Sequence, residues 1–136
     1  PWMSSMIKKM EKLWFLSIII GLVMLATSEV VYRIWIGSSI VINYKLSASM
    51  LFLILIQTIG NVYMSMINGI GTIRVQLIIY MIFAIVAWPL FTICAKTFGL
   101  VGVVIVPSIV NLVQAIAGKI QLNKLMSKTA KGVWLK

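Results

Sequence analysis

Four long apolar runs constrain this chain more than anything else in it. They are about 13–35 ("LWFLSIIIGLVMLATSEVVYRIW"), 46–67 ("LSASMLFLILIQTIGNVYMSMI"), 73–95 ("IRVQLIIYMIFAIVAWPLFTICA") and 100–121 ("LVGVVIVPSIVNLVQAIAGKIQ"). A hydrocarbon layer about 30 Å thick is crossed by about 20 residues of helix, so each run is long enough to span. None alternates polar and apolar residues as a membrane β-barrel strand would. Apolar residues make up 62% of the 136, and only 10% are charged, well below the roughly 25% of soluble domains. The expected fold class is therefore all-α: a polytopic integral membrane protein with four antiparallel transmembrane helices. Residues 122–136 are expected to form an interfacial tail.

The connectors are short: "IGSSIVINYK" at 36–45, "NGIGT" at 68–72 and "KTFG" at 96–99. Such links make successive helices run antiparallel. Charge then sets the orientation. One side collects Lys8, Lys9, Lys12, Arg74, Lys124, Lys128, Lys131 and Lys136, with Lys119 close by; the other has Arg33, Lys45 and Lys96. The richer side is expected to be cytosolic, with both ends of the chain there. Met3, Met6, Ile7, Met10, Leu13 and Trp14 recur at helical spacing beside Lys8, Lys9 and Lys12. Leu122, Leu125, Met126 and Val133 similarly oppose Lys124, Lys128 and Lys131. Both patterns fit amphipathic segments at an anionic headgroup layer, with Trp134 as an anchor.

The net charge of +10 comes from twelve Lys and Arg against Glu11 and Glu29. These cations sit at the ends of apolar runs, where they snorkel and set topology, so no nucleic-acid partner is expected. Without histidine, with one thiol (Cys94, inside an apolar run) and with two separated carboxylates, the chain offers no catalytic set or metal shell. It is not expected to be an enzyme or to carry a cofactor. No small-residue cleavage site follows the first apolar run, so no signal peptide is expected. The first residue is Pro1, and the chain is expected to be a fragment of a longer protein.

Polar residues at membrane depth require a partner or water. Gln57, Asn61, Ser65 and Asn68 recur at steps of four, four and three and share one helix face. Pro107, Asn111, Gln114, Gly118 and Gln121 do the same in the fourth run. Each stripe fits either hydrogen bonds between helices or the wall of a water-filled cavity; Gln57, Asn61, Asn111 and Gln114 are the cavity candidates. Glu29 and Arg33, at i and i+4, fit either a self-neutralising pair or a gate at the outer mouth. Pro89 and Pro107 each remove a backbone donor within a span.

Several short pieces, in order along the whole chain, resemble a known family. "PWMS" at 1–4 is similar to a Pro-x-Trp-Ser segment, and "VVYRIWIG" at 30–37 to a Tyr-x-x-Trp-x-Gly helix ending. "NGIG" at 68–71, with Gln76 after it, resembles a cytosolic turn; "WPL" at 88–90 and "FGLVGV" at 98–103 resemble the next hairpin; "KGVW" at 131–134 resembles a tail. Together they are similar to the C-terminal third of bacterial polysaccharide flippases, in the superfamily that also holds multidrug exporters. Trp88 departs from the pattern, standing where the family often has a polar residue.

The resemblance implies the last four of about twelve helices, arranged as part of one of two lobes around a central cavity with alternating access. It implies a lipid-linked oligosaccharide substrate (an undecaprenyl-pyrophosphate glycan), the bacterial inner membrane, and polysaccharide polymerase machinery as a further partner. Arg33, Lys45, Lys96 and Lys119 would be the candidate pyrophosphate contacts, although each also fits simple snorkelling. A cation-coupled drug exporter of the same superfamily, and a structural module or small pore of four helices, remain as alternatives.

Overall fold

The computed structural model describes residues 2–37 and 43–135. Pro1, Lys136 and the middle of the first connector lie outside the described residues. The fold is all-α, with four helices long and apolar enough to cross a membrane: α1 (Trp2–Trp35), α2 (Tyr44–Ile70), α3 (Arg74–Phe98) and α4 (Leu100–Met126). A 3-10 turn, Gly132–Trp134, follows.

Helix boundaries follow local chemistry. Asn43 caps α2, its Oδ1 accepting from the Lys45 N–H at 2.9 Å. Gly71 ends that helix in the left-handed region at φ 83°. Its N–H donates to Asn68 O at 3.0 Å and the Thr72 N–H to Ile67 O at 3.4 Å, a Schellman-type closure. Helix α2 thus runs further than the expected 67, and the reversal into α3 takes only Gly71 to Ile73. The reversal from α3 into α4 is tighter still, through Gly99 alone.

Sequence neighbours run antiparallel, but they are not all packing neighbours. Helix α4 packs against both α2 and α3, and α1 packs on α2, giving the lateral order α1–α2–α4–α3. Helices α2 and α4 run parallel, since Gly60 meets Ala115 and Gly118 meets Tyr63 further along both. In a lipid solvent helices gain nothing by hiding apolar surface from water, so close van der Waals contact between small residues holds such seams. At Gly102 the approach is closest: a Cβ there would overlap the backbone carbonyl of Cys94 on α3.

The two amphipathic ends, expected at the headgroup layer, are also packed on the bundle. Helix α1 is unbroken for 34 residues, about 51 Å, well beyond the hydrocarbon thickness. Its early turns are held by packing: Ile7 belongs to the core with Ile56, Ile59 and Tyr63, and Met3 and Trp14 pack against it. The Trp14 indole also donates to Leu55 O on α2 at 2.7 Å. At the other end, α4 continues to Met126 and carries Leu122 into the core at 1% exposure. The chain then turns through Lys128 (φ 58°) and folds back, burying Ala130. Trp134 ends beneath the Lys124 ammonium, 4.3 Å from its ring centre.

Gly102→Ala is expected to force α3 and α4 apart and destabilise the protein by about 1–3 kcal/mol. Gly69→Ala, inside α2 with open space around it, should be neutral or stabilising by about 0.5–1 kcal/mol. Thermal unfolding in detergent, followed by circular dichroism, checks both.

Candidate functional site

The two polar stripes have different fates, decided by the α2–α4 seam. On α4 the stripe turns inward. The Asn111 Nδ2 donates to Pro107 O one turn earlier at 2.8 Å. Gln114 is 4% exposed and Gln121 fully buried. Gln121 Nε2 ties two segments together, donating to Thr72 O at 2.9 Å and to Trp134 O at 3.3 Å. Gly118 completes the stripe as the packing partner of Tyr63. Thr72 Oγ1, Gln76 Oε1, Gln114 Nε2 and Gln121 Oε1 are buried without a hydrogen-bond partner among the described residues.

On α2 the stripe turns outward. Gln57, Asn61, Ser65 and Asn68 are all exposed, while Ile56, Ile59, Gly60, Tyr63, Met64 and Ile67 take the buried face. Hydrogen bonds between helices run through Trp14, Tyr32 and Tyr63 instead, and Gln121 ties α4 to the α2–α3 turn. Two grooves flank the stripe. Asn61 and Ser65 share a groove of ≈ 620 Å³ with Trp2, Met3, Met10 and Met66, between α2 and the first turns of α1. Asn68 shares another of ≈ 620 Å³ with Gln76, Leu77 and Tyr80, between the end of α2 and α3. The result is a ladder of neutral amides and a hydroxyl along a membrane-length helix, beside methionine-rich walls. Neutral amides both donate and accept, as sugar hydroxyls do.

The candidate charges divide between the two ends of the bundle. Arg33 Nη2 lies 3.2 Å from Glu29 Oε1, and the two side chains are 71% and 82% exposed. That geometry is the self-neutralising pair that the i, i+4 spacing allows. Lys45 and Lys96 are exposed at the same end, where the α1–α2 and α3–α4 connections lie. Lys119 sits at the end bearing the chain termini and is paired: its Nζ lies 3.3 Å from Glu11 Oε1. The same carboxylate oxygen accepts from the Tyr63 hydroxyl at 2.6 Å.

This three-helix cluster of Glu11, Tyr63 and Lys119 was not anticipated from the sequence. Its members lie on three separate helices, and helical spacing relates only residues within one helix. The signal available was Glu11 itself, the single acid among the cations of that end.

Comparison with protein-family models, curated proteins and solved structures finds no match to this chain.

Asn61→Ala should change stability by no more than about 0.5 kcal/mol, as for a surface position. Gln121→Ala, which strands the Thr72 and Trp134 carbonyls, should be destabilising by about 1–3 kcal/mol. Parallel unfolding curves in one detergent separate the outward stripe from the inward one.

Proposed function

We propose that the chain is part of the C-terminal lobe of a bacterial inner-membrane flippase for lipid-linked oligosaccharide, with the end bearing the termini in the cytosol. The observation that supports it most is the outward stripe of α2. Gln57, Asn61, Ser65 and Asn68 are exposed along a helix long and apolar enough to cross a membrane. Hydrocarbon does not accept such a row, and polar side chains of this kind face a bundle interior or a water-filled cavity. Neutral hydrogen-bonding groups suit a glycan cargo better than a cationic drug, which would draw on intramembrane acids. The ordered motif pieces, from "PWMS" to "KGVW", favour the same reading.

In this reading Gln57 and Asn61 contact the sugar during passage. Asn111, closed on the Pro107 carbonyl of its own helix, and the buried Gln114 lie on α4 behind them. Arg33, Lys45 and Lys96 stand at the outer mouth, where a pyrophosphate would leave. Lys119 stands at the inner mouth, where it would arrive.

Cysteine labelling in the intact protein tests the reading. In a Cys94→Ser background, Gln57→Cys and Asn61→Cys should react with a hydrophilic thiol reagent. Ile85→Cys, on the apolar outer face of α3 (78% exposed), should not. An Asn61→Cys protein that stays unlabelled in every transport state removes the cavity assignment. Loss of surface polysaccharide on deletion is the matching cellular result; loss of drug resistance alone would transfer the protein to the exporter branch.

A further inference from the structure

Glu11 occupies a position suited to a bound anion. Its Oε1 receives the Tyr63 hydroxyl from α2 at 2.6 Å and faces the Lys119 ammonium from α4 at 3.3 Å. Tyr63 is 4% exposed, and its Cβ packs against Gly118, the residue before Lys119. The hydroxyl is therefore fixed in the α2–α4 seam. A buried hydroxyl and an ammonium converging on one anionic oxygen form a charge-assisted site of the kind that holds phosphate. Lys8, one turn before Glu11 on α1, adds positive potential beside it.

We infer that Tyr63 and Lys119 form an oxyanion site which the chain's own Glu11 fills in this conformation, and which a phosphate group takes by exchange with that carboxylate. Exchange is easier than simple opening. If Glu11 merely withdrew, the buried Tyr63 hydroxyl would lose its acceptor, an unfavourable change. A phosphate oxygen replaces both the hydrogen bond and the ion pair. The carboxylate that leaves belongs to α1, so the exchange removes a polar tie between α1 and α4, while Ile7 and the Trp14–Leu55 bond still hold α1 on α2. The ligand chemistry is a phosphate oxyanion, whether free or on a lipid headgroup. The site shares Lys119 with the inner-mouth contact of the transport reading and rests on that reading only there; the inference itself concerns binding, which the experiment reads without transport.

Phosphorus NMR on the full-length protein in nanodiscs tests it in two arms. One titrates inorganic phosphate into nanodiscs of zwitterionic lipid; the other includes phosphatidic acid in the disc. Glu11→Gln keeps an acceptor for Tyr63 but removes the competing charge, and should tighten phosphate binding about tenfold. A gain in the first arm identifies a soluble oxyanion, and a gain in the second a lipid headgroup. The gain should vanish in Glu11→Gln/Lys119→Ala. Glu29→Gln removes an equal charge from the far end and should give no gain. Unchanged affinity in both arms, a gain that survives Lys119→Ala, or an equal gain from Glu29→Gln overturns the site. Should Glu11→Gln fail to fold, a Cys94→Ser protein with native Glu11, Tyr63 and Lys119 and spin labels at Ser5→Cys and Ile120→Cys carries the test. Saturating phosphate should lengthen the α1–α4 separation, and an unchanged separation overturns the proposal.

Discussion

A side-chain amide at membrane depth has two resorts, another protein group or water drawn in with it, and the seam between α2 and α4 decides which resort each amide takes. Gly60 against Ala115 and Tyr63 against Gly118 bring the two helices close and fix the rotation of both at once. With Ile56, Ile59, Tyr63 and Ile67 turned into the core, the face of α2 carrying Gln57, Asn61, Ser65 and Asn68 has to point away from it. The same contact turns Gln114 and Gln121 of α4 inward. A shift in that seam would rotate polar groups into lipid and is opposed for that reason. The seam supports the packing and aims the candidate site together.

Much of this architecture is legible in the sequence, because hydropathy over about 20 residues reports directly on crossing a membrane. The turn at Gly71 is legible as well, since a left-handed closure favours glycine. Lateral order is not. Nothing in an apolar run states which other run it will touch, and α4 lies between α2 and α3 because small residues such as Gly60, Gly102 and Gly118 permit close contact there. The amphipathic first turns of α1 are ambiguous for a related reason. Alternating faces of Met, Ile and Lys serve equally for a helix lying in the headgroups and for one docked on protein. Ile7 in the core and the Trp14 bond to Leu55 decide for the docked form.

The polar stripes show the same ambiguity. Spacing by three and four places Asn61 and Asn111 on stripes of identical appearance. Only the partner surface separates them. Asn111 closes on the Pro107 carbonyl of its own helix, whereas Asn61 opens into a groove with Trp2 and Met10. Sequence pattern defines a face, and packing defines what the face meets.

Charge is settled differently at the two ends of the bundle, with mechanical consequences. Glu29 and Arg33 neutralise each other within one helix, so the pair places no restraint on the distance between helices. Near it, α1 and α2 are joined by a long Tyr32–Ser47 contact at 3.4 Å, and a groove of ≈ 630 Å³ lined by Gly21, Met24, Met50 and Ile54 opens between them. At the opposite end Glu11 draws on α2 and α4 together, the Trp14 indole holds α1 to α2, and Gln121 straps the α2–α3 turn to the folded-back tail. A bundle tied across helices at one end and neutralised within a helix at the other leaves α1 freer to part from α2 near Glu29 and Arg33, while Gly102 keeps α3 and α4 in close contact at that end. A competitor for Lys119 would loosen only the Glu11 part of the tied end, because the carboxylate and its buried hydroxyl partner stabilise each other until something else satisfies both, and the Trp14 and Gln121 bonds are separate from it.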